Sequence, residues 1–141
     1  MSQISPEQIE SFMSGQVRCW NNHDKAGLLA LYREAAPDLL DIEYVGRAQQ
    51  ADGWLVIEEM YDKHNHQFRL EVASTIINGN EVAVHHRNCI VGTNQVIESI
   101  EIYRFGPGSL HVRYFLKPPE NAAVNLDQFR GFTSTPSQDT P

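Results

Sequence analysis

Residues 68–116, FRLEVASTIINGNEVAVHHRNCIVGTNQVIESIEIYRFGPGSLHVRYFL, fall into four runs rich in β-branched and aromatic residues, broken at Asn78-Gly79-Asn80, Gly92-Thr93-Asn94 and Gly106-Pro107-Gly108. The runs Phe68 to Ile77, Glu81 to Val91, Gln95 to Phe105 and Leu110 to Leu116 have the length of strands. Turns this short allow only antiparallel neighbours, because a parallel crossover takes about a dozen residues or more. The stretch therefore predicts a β-meander.

Before this stretch the apolar period becomes helical. Ser5-Pro6-Glu7-Gln8 carries a cap, a proline at the first helical position and the glutamine of a capping box. Ile9, Phe12, Met13, Val17 and Trp20 then follow at helical spacing until Asn21-Asn22-His23 interrupts them. Asp24 caps a second predicted helix bearing Leu28, Leu31 and Tyr32, which must stop before Pro37. Leu39 to Val45 reads as a short strand and Gly46 to Ala51 as a loop. Asp52 caps a third helix on which Trp54, Ile57, Tyr61 and His64 share a face. Helices first and strands after is the order of an α+β domain whose helices cover one face of its sheet. The domain is expected over residues 1–118. Past Pro118-Pro119 the alternation ends, so 119–141 reads as a C-terminal extension. Its last stretch, Ser134 to Pro141, has no apolar residue to offset the entropy of ordering and is predicted to be disordered, whereas Phe129 and Phe132 are candidate tethers.

A chain of 141 residues can close one hydrophobic core without disulfides or a structural metal. Its 11 Lys and Arg against 18 Asp and Glu, a formal charge of -7, argue against nucleic acid and anionic membrane as partners. No apolar stretch approaches the roughly 20 residues of a membrane span, and the N-terminus lacks the pattern of a secretory signal. Two cysteines, Cys19 and Cys89, form no disulfide framework, and a reducing cytoplasm is the expected location.

Alternation places Val82, Val84, His86, Asn88 and Ile90 on one face of their strand, and Ile97, Ser99, Glu101, Tyr103 and Phe105 on one face of the next. Apolar and aromatic neighbours around the Glu101 carboxyl would favour its neutral form by desolvation. The plainer reading puts Glu101 at a solvated edge beside Arg104 or Arg113. His85 is expected on the face opposite His86, so the two do not clamp one metal ion. His64-Asn65-His66 and Asp62 read as solvated surface with no third ligand at recognisable spacing, and no metal site is predicted. Neither cysteine has a base partner, and no serine lies in a nucleophile elbow.

Trp20-Asn21-Asn22-His23-Asp24 with Leu28, Leu31 and Tyr32, the run Gly53 to Tyr61 (GWLVIEEMY), and Ser99 to Phe105 with its Gly106-Pro107-Gly108 turn together resemble the ketosteroid isomerase and SnoaL-like polyketide cyclase group of the nuclear transport factor two-like superfamily. The likeness runs from about Gln8 to Lys117. It implies a cone-shaped α+β barrel, a curved antiparallel sheet with three N-terminal helices enclosing one pocket. It also implies a homodimer, for which the surface away from the helices, with Val96, Ile100 and Ile102, is the expected interface. In ketosteroid isomerases an aspartate base moves a proton while a tyrosine and a protonated aspartate hold the enolate. The resemblance puts Asp41 at the base position, Glu101 at that of the protonated acid and Gln16 at the tyrosine's. The likeness to SnoaL-type cyclases, which use an acidic residue and no metal or organic cofactor, assigns acid/base work to Glu101 with His86.

The catalytic candidates are thus Asp41, Glu101 and His86, and the substrate-binding candidates Gln16, Trp20, Tyr32, Tyr61, Asn88 and Tyr103. The expected function is a cofactor-free isomerase, cyclase or dehydratase acting on a small, apolar or aromatic carbonyl compound. The alternative is a ligand-binding or protein-interaction module of the same fold without catalysis.

Overall fold

Short polar side chains start all three helices. Ser5 accepts from the Gln8 amide while the Gln8 side chain accepts from the Ser5 amide, closing the capping box of α1, Pro6–Asn21. Asp24 accepts from the Gly27 amide to cap α2, Lys25–Ala35, and Asp52 accepts from the Trp54 amide to cap α3, Gly53–His64. Each cap satisfies an amide that the helix cannot, an effect of about 1 kcal/mol. The strands are β1 Leu39–Tyr44, β2 Phe68–Asn78, β3 Glu81–Ile90, β4 Val96–Gly106 and β5 Ser109–Lys117. This computed structural model describes residues 4–46 and 52–117. The extension 119–141, with Phe129, Phe132 and the segment from Ser134, lies outside the described residues, as does most of the loop Gly46 to Ala51.

The sheet has the order β1-β5-β4-β3-β2. The four strands of the meander pair antiparallel, as their short turns require. The first strand differs: β1 runs parallel to β5, Asp41 opposite His111 and Tyr44 opposite Tyr114. No hairpin joins β1 to its neighbour, so turn length does not dictate its direction, and the sheet is mixed and open rather than wholly antiparallel. In β2 the register slips between Val72 and Ser74, leaving Ala73 as a bulge that bends the strand.

The helices pack on the concave face. Ile9, Phe12, Met13, Gln16 and Trp20 of α1 are buried against Val82, Val84, Ile97, Tyr103, Phe105 and Val112 of the sheet, each fully buried large apolar side chain contributing roughly 1.5–3 kcal/mol. Gly53 lets α3 begin directly on β1: a Cβ there would stand 2.3 Å from the Leu40 carbonyl oxygen. On the convex face Ile100 and Phe115 remain 44% and 38% exposed, and Val96 and Ile102 are half-buried. No described helix is long and apolar enough to cross a membrane.

Candidate functional site

The concave faces of β3 and β4 carry the polar groups singled out above. His86, Asn88, Ser99, Glu101 and Tyr103 are all buried, because the sheet alternates and α1 covers this side. Cross-strand register does the rest. His86 pairs with Ser99 and Val84 with Glu101, so the imidazole and the carboxyl are diagonal neighbours, and His86 Nδ1 lies 3.2 Å from Glu101 Oε2. Ser99 Oγ donates to the same oxygen at 3.0 Å, and Tyr103 Oη donates to Oε1 at 2.7 Å. Asn88 Nδ2 donates to Ser99 Oγ and to the Ile97 carbonyl, fixing the serine from below.

From α1, Gln16 Nε2 donates to Tyr103 Oη at 3.0 Å, while Gln16 Oε1 accepts from Tyr32 Oη at 2.5 Å. Tyr114 is hydrogen-bonded to Tyr32 in turn. The donors therefore run in one direction, from Tyr32 through Gln16 and Tyr103 to the carboxylate. Burial first, and then the Glu101 charge, pushes the Tyr32 and Tyr103 hydroxyls upward, so both stay protonated. The same causes, with the neighbouring Tyr32, do so for Tyr114.

Burial alone would raise the Glu101 pKa, as the sequence reading expects. The nearby His86 charge and hydrogen bonds from His86, Tyr103 and Ser99 outweigh it and hold the carboxyl below its ordinary 4.5. The His86 ring behaves reciprocally: burial lowers it, but Glu101 raises it more, to a net value above 6.5. The expectation of a neutral Glu101 is thus corrected to a buried ion pair. His86 Nε2 is buried with no hydrogen-bond partner among the described residues.

Apart from Ser99, which lies behind Glu101, these groups line a cavity of about 60 Å³ together with Trp20, Met60, His64 and Tyr114. Trp20 is pinned by donation from Nε1 to the Phe68 carbonyl. His64 comes from the end of α3, which is tied to α1 by Asn65, whose Nδ2 donates to the Trp20 carbonyl and whose Oδ1 meets His23 Nδ1 at 2.6 Å. His64 and Asn65 are therefore buried, not solvated surface, while His66 is exposed. The helical stripe that holds Ile57 also holds His64, and that was the available signal. Ser99 and Tyr114, likewise missing from the candidate set, follow from the same alternation that selects Glu101.

Two candidates lie elsewhere. Asp41 stands on the convex side of β1, where Leu40, Ile42 and Tyr44 are the inward residues, and its carboxylate lies 3.3 Å from His111 Nδ1. It does not share a cavity with Glu101, and proton transfer between these two groups on one substrate is ruled out by the sheet between them. Tyr61 does not line the cavity; it packs edge-on against Trp20 at 5.5 Å and buttresses that wall. Gln16, Trp20, Tyr32, Asn88 and Tyr103 do line it. No group of three or more His, Cys, Asp or Glu suited to a metal occurs among the described residues.

No family model and no curated protein matches the sequence. Solved structures do. An LEH-like epoxide hydrolase from M. tuberculosis superposes with a TM-score of 0.59 at 13% identity, over 79% of this chain and 84% of that one. An NTF2-like protein of unknown function from Cytophaga hutchinsonii gives 0.56 at 16%, over 76% and 97%. A protein provisionally described as a ketosteroid isomerase, from Kribbella flavida, gives 0.58 at 14%, over 86% and 87%. At such identities the likeness is one of fold, and at that level it agrees with the resemblance read from the motifs. This chain has the NTF2-like α+β fold.

Proposed function

We propose that the chain is a small-molecule pocket protein in which His86, held by Glu101, performs general acid/base chemistry on a small, mainly apolar carbonyl compound, as an isomerase, cyclase or dehydratase. One observation carries this reading: a buried imidazole on the cavity wall has one nitrogen committed to a carboxylate and the other without a partner. Leaving a buried donor unsatisfied costs roughly 1–3 kcal/mol, and more for a charged group. A ligand oxygen would remove that cost, and an imidazolium beside a carbonyl or hydroxyl oxygen is a general acid whose conjugate base takes the proton back. Glu101 orients the ring and stabilises its charge, Tyr103 and Ser99 hold Glu101, and Gln16 holds Tyr103. The base role expected of Asp41 passes to His86. The chemistry needs only side chains.

The cavity size limits the substrate. Drug-sized pockets measure about 300–1,000 Å³, so a cavity of about 60 Å³ suits a small ring or chain. Larger compounds would require Met60, an unbranched and adaptable side chain, to move. The test is an NMR titration with cyclopentanone and with methylenecyclopentane, which has the same shape but no oxygen acceptor. Selective binding of the ketone, lost in His86→Gln, is the expected result; equal binding of both, or of neither, would refute the acid/base reading.

A second reading has its own observation. Ile100 and Phe115 lie exposed side by side in register on the convex face, a surface suited to a second copy of the chain. We propose a homodimer through that face, with the pocket serving catalysis or ligand binding in each copy. Ile100→Glu should convert a dimer to monomer in light scattering; a monomer in the wild type would remove this proposal.

A further inference from the structure

His86 is the only described side chain that borders both the aromatic cavity and a second opening, a cleft of about 450 Å³ between α1 and the β2–β3 hairpin. Glu10, Met13 and Ser14 of α1 form one wall of the cleft, and Val72, Thr75 and Ile77 of β2 the other, with Val84 on its floor. The bulge at Ala73 interrupts β2 beside this cleft, and Val72 and Thr75 on either side of it are exposed. A titratable group thus sits where a small aromatic compartment meets a wide one that opens to solvent.

The two ring nitrogens of an imidazole point in divergent directions. Nδ1 is taken by Glu101, and Nε2 has no partner among the described residues. The polar groups around Glu101 are already bonded to one another, so none of them connects His86 to bulk water. We propose that the cleft under α1 is the proton port of the site, through which the His86 ring exchanges its Nε2 proton with solvent when no ligand oxygen is bonded there. This rests on the reading of His86 as the acid/base group.

The step is a single proton transfer. Imidazolium gives its Nε2 proton to water, leaving neutral imidazole and hydronium, or the reverse, and no electron moves. Because Nε2 is buried, exchange requires a local opening. Met13, a flexible side chain on the α1 wall, can open by changing rotamer. The charged and titratable groups nearby are Glu10 at the rim of the cleft and Glu101 with Tyr103 on β4.

The test needs no substrate. In the full chain labelled with ¹⁵N-histidine, NMR measures how fast the His86 ring N–H exchanges with water. Thr75→Trp fills the cleft from β2 and Ser14→Trp fills it from α1, whereas Met60→Phe narrows the aromatic cavity. Exchange slowed about tenfold or more by each tryptophan variant that folds, but by less than about twofold by Met60→Phe, is the expected outcome. Exchange unchanged by a folded cleft variant, or slowed mainly by Met60→Phe, would overturn the port. Ser14 is exposed on a helix, so its variant remains informative if Thr75→Trp does not fold. If His86→Gln leaves selective cyclopentanone binding unchanged, the acid/base reading fails while the exchange result stands on its own.

Discussion

Strands β3 and β4 carry two histidine–glutamate pairs, one on each face, built on the adjacent histidines His85 and His86. On the convex side His85 Nε2 lies 2.6 Å from Glu98 Oε1, with the side chains 36% and 37% exposed; on the concave side His86 and Glu101 stand at 3.2 Å with 3% and 10% exposed. The shorter pair is the weaker one. Water competes for His85 and Glu98, and Glu98 also accepts from Arg87 at 2.9 Å, so the pair belongs to an open surface network worth about 0.2–1 kcal/mol. In the interior, among the described residues, Ser99, Tyr103 and the partner itself replace the lost hydration of Glu101. Distance does not rank these pairs; solvent does.

The largest expected effect follows from that contrast. At pH 6, Glu101→Gln breaks the buried pair, leaving the imidazole to shed its proton or stay charged without a partner, and should cost about 3–5 kcal/mol in urea unfolding, whereas Glu98→Gln should cost less than about 1 kcal/mol. Equal losses would erase the distinction between the faces. The pH dependence of wild-type stability should show the inner pair from both sides. The Glu101 pKa is lowered in the fold, so its contribution is present above the ordinary 4.5 and is lost as pH falls through the depressed value. The His86 pKa is raised, so its contribution is complete below 6.5 and is lost as pH rises through the elevated value. Stability attributable to the pair should therefore peak between these limits, and in Glu101→Gln the alkaline loss should disappear.

The two faces were not equally legible. Assigning His86, Asn88, Glu101 and Tyr103 to one side required only period-two alternation, and capping chemistry placed the helices that cover them. The protonation of Glu101 could not be read in this way, because it depends on the diagonal placement of His86, which is a matter of register between two strands. Asp41 illustrates the converse. The alternation of Leu40, Ile42 and Tyr44 already turns Asp41 outward, but a position carried over from a resembling family overrides it. His64 was legible on its helical stripe. Its burial was not, since it depends on Asn65 bonding to the end of a distant helix.

A smaller effect tests what closes the inner face. Gly53→Ala would put a methyl group 2.3 Å from the Leu40 carbonyl oxygen, and backbone on both sides resists, so a loss of about 1–3 kcal/mol is expected. Wild-type stability in that variant would mean that α3 does not rest so closely on β1. The smallest effect belongs to the convex side: Asp41→Asn should change stability by no more than about 0.5 kcal/mol and leave ketone binding in the cavity as it was. Loss of binding there would return Asp41 to the site.

The acid/base role requires His86 to be a charged, buried partner of Glu101. A pH titration of the His86 ring followed by NMR, in the wild type and in Glu101→Gln, addresses this directly. The midpoint should lie above 6.5 in the wild type, where Glu101 outweighs burial. It should drop below 6.5 in Glu101→Gln, where burial acts without that opposition. A wild-type midpoint below 6.5, or one that Glu101→Gln does not move, would contradict the buried ion pair and the acid/base role built on it.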